Sequence, residues 1–127
     1  MVVMASIVVV DDDAYMRKLI QTVLREVGHT VVVLRSGFEC LERIAEFEPD
    51  IIITDICMPN MDGIQTIQKI KSASKAIKII AMTSGDQTFT DNNTDLAIRY
   101  GATHLLLKPF KLTELIRVVI DSMQADK

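Results

Sequence analysis

The sequence predicts a doubly wound α/β sandwich, (βα)5, because five short β-branched runs alternate with five segments of helical spacing. Consecutive βα units build a parallel sheet through right-handed crossovers, with helices on both faces. Several of the runs are continuously apolar, which is typical of strands buried on both faces. The predicted strands are Ser6–Val10, Thr30–Leu34, Ile51–Thr54, Ile77–Met82 and Thr103–Leu107.

The segments between the runs place apolar residues at helical spacing. The clearest runs from Met16 to Val27, and Gly28 follows it as a helix stop. Asp13 is positioned to cap this helix, and His29 after the glycine is expected to face solvent. The other four helices are marked by Phe38, Leu41, Ile44 and Ala45, by Ile64, Ile67 and Ile70, by Leu96, Ala97 and Tyr100, and by Leu112, Leu115, Ile116, Val119 and Met123.

Length and composition limit the classes of function. At 127 residues the chain is expected to form one domain, 1–127, without an effector domain. With 14 basic and 17 acidic residues, the net charge of −3 argues against direct nucleic-acid binding. No apolar run approaches the ~20 residues of a membrane span, and no signal peptide is evident. We therefore expect a cytoplasmic protein whose two cysteines, Cys40 and Cys57, are reduced.

Chemically useful side chains follow the predicted strands where each strand ends. In open parallel sheets, ligands bind beyond the carboxyl ends of the strands, near the point where strand order reverses. The residues at this edge are Asp11, Asp12, Asp13, Asp55, Thr83 and Lys108. We expect them to form one site.

The acidic residues predict a divalent cation. If the first and third strands are neighbours, three carboxylates converge, and two charges 4 Å apart repel by about 4 kcal/mol at an effective dielectric near 20. Mg²⁺ is the simplest compensation, because it takes one or two carboxylates together with water and phosphate oxygens. Helix capping is the alternative; it accounts for Asp13 but not for Asp55, which is followed by the Ile56–Pro59 segment.

Lys108 and Thr83 extend the site toward phosphate chemistry. Alone, a lysine at a turn or a threonine in a strand is unremarkable. Together with the carboxylates they suit an acyl phosphate on Asp55, with Lys108 neutralising the phosphoryl oxygens and Thr83 hydrogen-bonding one of them.

Four segments resemble the receiver domain of bacterial two-component response regulators, in the same order and over nearly the whole chain. They are Val10–Asp13, Thr54–Gly63, Met82–Ser84 and Lys108–Phe110, and the Asp-x-x-Met-Pro-x-Met-Asp-Gly pattern in the second is the most specific. The resemblance implies a flavodoxin-like strand order 2-1-3-4-5. It also implies a cis Lys108–Pro109 bond.

The same resemblance assigns roles to residues. Asp55 would be the phosphoacceptor, and Thr83 and Lys108 would be the switch hydroxyl and the phosphate-binding lysine. The Mg²⁺ ligands would be Asp12 directly, Asp11 through water, Asp55 and the backbone carbonyl of Cys57. The phosphoryl donor would be a sensor histidine kinase or a histidine phosphotransfer protein, and a downstream protein would bind the fourth helix, fifth strand and fifth helix.

Two features depart from the family pattern. Many receivers carry an aromatic residue three positions before the lysine, where this chain has Leu105. The segment of residues 84–94 is also longer than is common in the family. Both belong to the part of the domain that the family uses to switch.

Three other classes of function are alternatives. A haloacid-dehalogenase-type phosphatase would have a second aspartate two residues after the nucleophile, where this chain has Cys57. A flavodoxin-like FMN binder would want a hydroxyl-rich phosphate loop after the first strand, where Asp11–Asp13 would repel the phosphate. A receiver-like scaffold that no longer accepts phosphate would not need the full set of site residues.

Overall fold

Strands and helices alternate along the residues described by the computed structural model, which are 4–56, 63–83 and 95–124. The strands are β1 (Ser6–Val10), β2 (Thr30–Leu34), β3 (Ile51–Asp55), β4 (Lys78–Thr83) and β5 (His104–Leu107). The helices are α1 (Ala14–Glu26), α2 (Gly37–Ile44), α3 (Gly63–Ala73), α4 (helical over residues 95–100) and α5 (Leu112–Gln124). The predicted α/β fold class is confirmed.

The five strands form one parallel sheet in the order β2-β1-β3-β4-β5. This is the 2-1-3-4-5 order that the resemblance implied. Strand order reverses between β1 and β3, whose last paired residues are Val10 and Thr54. The residues that follow β1 and end β3 therefore meet at one edge of the sheet, where a ligand site is expected.

The core lies on both faces of the sheet. Because successive strand residues point to opposite faces, the continuous apolar runs supply both layers. One layer packs Val8, Val10 and Ile52 against Cys40 of α2, Ile67 and Ile70 of α3 and Ala97 of α4. The other packs Ile7, Val9, Ile51 and Ile53 against Ile20 and Leu24 of α1 and Leu115 and Val119 of α5.

Helix α1 begins and ends as predicted, but the prediction for His29 is wrong. The Asp13 side chain caps α1 by accepting a hydrogen bond from the Tyr15 backbone N–H, and Gly28 adopts a positive φ of 104°. This turn brings the chain back alongside β1, where the His29 ring is only 6% exposed and its Nδ1 accepts a hydrogen bond from the Ala5 N–H at 3.0 Å. The histidine thus links the residue before β1 to the residue before β2.

Phe38, one of the apolar residues whose spacing predicted α2, does not lie on the buried face of that helix. Its side chain is 53% exposed, whereas Gly37 and Cys40 are buried and Leu41 and Ile44 pack against the core. At about 100° per residue, Phe38 lies roughly a quarter turn from the centre of that face. Among the described residues, no helix is long and apolar enough to cross a membrane.

Candidate functional site

Three carboxylates gather at the carboxyl edge of the sheet. Asp11 follows β1 and is fully buried, Asp55 ends β3 and is 8% exposed, and Asp12 is exposed. One carboxylate oxygen from each lies within 4.8 Å of the others. The cluster predicted from the sequence is therefore present, and it lies where the strand order reverses.

Lys108, directly after β5, joins two of these carboxylates. Its Nζ donates to Asp11 Oδ2 at 2.8 Å and to Asp55 Oδ2 at 3.1 Å. Burial is the largest influence on the lysine's pKa and acts to lower it, but hydrogen bonds and charge interactions with both aspartates outweigh burial and hold the pKa of Lys108 above its ordinary value. The amine is therefore a fixed positive charge facing Asp55.

Asp11, in the β1–α1 turn, forms hydrogen bonds through four of its atoms. Its backbone N–H donates to Leu34 O at 3.2 Å, and its carbonyl accepts from Arg17 Nη1 at 2.7 Å. Its carboxylate accepts from the Asp13 N–H at 2.9 Å and from Lys108. With so many partners, the buried carboxylate is fixed in orientation and its desolvation is compensated.

Asp55 is positioned by the end of β3 and the start of α3. The Thr54 hydroxyl donates to the Asp55 carbonyl at 3.1 Å, and Ile56 N–H donates to Met82 O at 3.1 Å, which extends the β3–β4 pairing. Gly63 opens α3 directly against this backbone, so that a Cβ there would collide with the Asp55 carbonyl and Ile56 Cα. Only glycine allows the helix to start so close to the phosphoacceptor candidate.

Thr83 and Lys108 are brought side by side by the β4–β5 pairing. Thr83 pairs with Leu107, and the Lys108 N–H donates to the Thr83 carbonyl at 2.7 Å. Thr83 is buried and lies one position beyond Met82, the partner of Asp55 in the sheet. The Lys108–Pro109 bond is cis, as the resemblance implied. Cys57 and residues 84–94, also singled out from the sequence, lie outside the described residues.

The donor set suits a hard divalent cation. All three candidate ligands are carboxylate oxygens, the type that Mg²⁺ prefers. Three carboxylates against one ammonium leave two negative charges uncompensated among these four side chains. One face of the cluster, at Asp12, is open to solvent. The residues present therefore fit a divalent cation.

Two residues at the site escaped the sequence analysis. Arg17 could have been noticed as a cation in the first turn of α1, four residues after the helix cap. The second, Gly63, belongs to the pattern that carried the resemblance, but the reason for it appears only when α3 is seen against β3. In both cases the signal is a contact with backbone, which residue type alone does not reveal.

Comparison with known proteins agrees with this geometry. The family model described as the response regulator receiver domain matches residues 7–120. The chain belongs to this family, the receiver domains of two-component response regulators. The FMN-binder and dehalogenase-type readings are thereby set aside.

Individual relatives cover most of the chain. It is 36% identical over 116 residues to protein PilG of Pseudomonas aeruginosa, covering 90% of this chain and 84% of PilG. It is 33% identical over 115 residues to the chemotaxis protein CheY of Bacillus subtilis, covering 89% and 92%. The crystal structure of NtrX from Brucella abortus superimposes with a TM-score of 0.89 at 26% identity, covering 96% of this chain but 27% of NtrX.

Proposed function

We propose that this domain accepts a phosphoryl group on Asp55 from a phosphohistidine of a sensor histidine kinase or histidine phosphotransfer protein, in a Mg²⁺-dependent reaction, and thereby changes its partner-binding surface. The observation that carries the proposal is the position of Lys108 Nζ, 2.8 Å from Asp11 and 3.1 Å from Asp55. A half-buried cation facing a carboxylate in this way is placed to neutralise phosphoryl oxygens.

Asp55 supplies the nucleophile for the transfer, and the phosphohistidine of the donor protein supplies the phosphoryl group. An Asp55 carboxylate oxygen attacks phosphorus, the new P–O bond forms as the P–N bond to the donor imidazole breaks, and the imidazole leaves with the electron pair. Lys108 can then contact a phosphoryl oxygen as well as the carboxylates. Thr83 is buried at the end of β4, and we propose that its hydroxyl hydrogen-bonds a second phosphoryl oxygen. The domain catalyses its own modification and dephosphorylation and turns over no other substrate.

Mg²⁺ is the proposed cofactor because the cluster offers oxygen ligands and an excess of negative charge. Asp12 and Asp55 would hold the ion directly and Asp11 through water, with the Cys57 carbonyl as a further ligand. When bound, the ion neutralises charge on the transferring phosphoryl group. Asp11 meanwhile keeps Lys108 charged and oriented.

The output surface is proposed to comprise α4, β5 and α5. Leu105 and Leu107 on β5 are 36% and 54% exposed, and Leu112 at the start of α5 is 43% exposed. Strand β5 is joined to the site through Lys108, so a change at Asp55 reaches this surface through one residue. Leu105 stands where many receivers have an aromatic residue, and its apolar side chain is smaller. We therefore expect the conformational change to depend mainly on Thr83.

The test is phosphorylation by a small acyl-phosphate donor with Mg²⁺, followed by intact mass. We expect a labile addition of about 80 Da on the wild type and none on Asp55→Asn. Asp121→Asn, an exposed aspartate on α5, is the matched control and should label like the wild type. An addition that survives in Asp55→Asn, or a wild type that never labels, would contradict the proposal and favour a scaffold without phosphoacceptor function.

A further inference from the structure

We infer that Arg17 is a positioning residue for the Mg²⁺ site, acting through the backbone that carries Asp12. The inference rests on the proposed function and names a residue that the acidic cluster, the lysine and the threonine do not include. Arg17 lies in the first turn of α1 and is half-buried. Its Nη1 donates to the Asp11 carbonyl at 2.7 Å, one of the shortest hydrogen bonds at the site.

The Asp11 carbonyl needs this donor because the sheet does not supply one. The paired register of β1 with both neighbours ends at Val10, one residue earlier. The carbonyl therefore lies beyond the last pair, at the turn into α1, where an unbonded buried carbonyl would be costly. Arg17 reaches back along the helix toward its N-terminus, the direction in which helical side chains point, and provides the bond.

Fixing that carbonyl also fixes Asp12. The carbonyl of residue 11 and the N–H of residue 12 belong to one planar peptide unit. Among the described residues, the Asp12 carboxylate has no hydrogen-bond or ion-pair partner, whereas Asp11 and Asp55 are both held by Lys108. The direction in which Asp12 projects toward the cluster is therefore set by its backbone, and Arg17 holds the peptide plane from which it departs.

A positioning role for Arg17 and a purely electrostatic role predict changes of opposite sign in Mg²⁺ affinity when the residue is replaced. Removing a cation near a metal site should strengthen Mg²⁺ binding if only long-range electrostatics mattered. Loss of a group that orients a metal ligand should instead weaken binding, by about tenfold or more. The sign of the change in affinity thus separates positioning from charge.

The experiment is titration of the whole chain with Mg²⁺ alone, followed by calorimetry. We expect Arg17→Met to weaken Mg²⁺ binding about tenfold, and Arg17→Lys, which retains a donor and the charge, to recover part of the loss. Lys18→Met removes the same charge from the exposed neighbouring position and should leave the affinity within about twofold of the wild type or slightly tighter.

Folding is followed separately by thermal melting without Mg²⁺, so that a loss of binding is compared only among folded variants. If Arg17→Met does not fold, Arg17→Ala, which also removes the donor and the charge, is used in the same titration. The inference is overturned if the folded variant binds Mg²⁺ as tightly as the wild type or more tightly, or if Lys18→Met loses as much. A wild type that binds no Mg²⁺ at millimolar concentration would overturn the proposed cofactor itself, and the role of Arg17 with it.

Discussion

At the scale of single residues, His29 links stability to pH. The hydrogen bond from the Ala5 N–H requires an unprotonated Nδ1, and burial lowers the pKa of His29 below its ordinary value near 6.5. The unfolded chain therefore binds a proton at a higher pH than the folded chain does. Stability supplied by the neutral ring is complete above about pH 6.5 and is lost as the pH falls toward the folded pKa.

We accordingly expect thermal stability to fall as the pH is lowered from 7.5 to 5, with about 1–2 kcal/mol lost through the Ala5 bond. His29→Asn, whose side-chain oxygen can accept the same bond, should flatten that part of the profile. The measurement is melting against pH for both proteins in the absence of Mg²⁺. If His104→Asn removes the dependence and His29→Asn does not, the assignment to His29 is wrong.

Some residues of the fold and site could be predicted from the sequence and others could not. Asp11, Asp55, Thr83 and Lys108 could be found because each ends or follows an apolar strand, and strand ends converge in a parallel sheet. The burial of His29 could not, because it depends on how tightly the Gly28 turn returns to β1. A residue's type and neighbours predict its element far better than they predict its contacts across the fold.

At the scale of elements, the close packing of α3 on β3 sets the position of the phosphoacceptor candidate. Gly63→Ala would drive a methyl group into the Asp55 carbonyl and Ile56 Cα, which are backbone atoms that cannot rotate away. We expect a loss of about 1–3 kcal/mol in the free energy of unfolding, measured by urea denaturation. The helix or the strand end must shift, so phosphorylation of Asp55 should slow as well.

Lys69→Ala on the exposed side of the same helix is the control, and its stability should stay within about 0.5 kcal/mol of the wild type. A Gly63→Ala protein as stable as the wild type, with an unchanged phosphorylation rate, would show that α3 does not constrain Asp55.

Strands and helices were predicted well where a run of apolar residues alone determines the structure. They were predicted less well where side-chain size also decides which face of the element is buried. Strands β1 and β2 match their predicted ranges, and the ends of β3, β4 and β5 differ from theirs by at most one residue, because runs rich in valine, isoleucine and leucine leave little choice of structure. Helix α2 was placed correctly, and Leu41 and Ile44 pack against the core, but the most buried residues of the helix are the small Gly37 and Cys40 rather than Phe38. Small residues let a helix pack closely against the sheet, and the hydrophobicity of a residue alone does not predict this.

At the scale of the whole molecule, the apolar core supports a site that works against folding. Two layers of buried residues hold the sheet, and its carboxyl edge collects three carboxylates with one ammonium. Like charges held within 4.8 Å repel, and Asp12 has no partner in the described part of the chain to offset its share. The fold thus carries a repulsion that a bound divalent cation would relieve.

Asp12→Asn should therefore melt about 3 °C higher than the wild type without Mg²⁺, because it removes a charge while breaking no hydrogen bond of that side chain. Millimolar Mg²⁺ should raise the melting temperature of the wild type by mass action and that of Asp12→Asn much less. The difference between the two melting temperatures should therefore shrink or change sign when Mg²⁺ is added. Asp121→Asn on α5 should follow the wild type in both conditions. If Asp12→Asn melts lower without Mg²⁺, the cluster is not repulsive; if it gains as much from Mg²⁺ as the wild type, Asp12 is not a ligand.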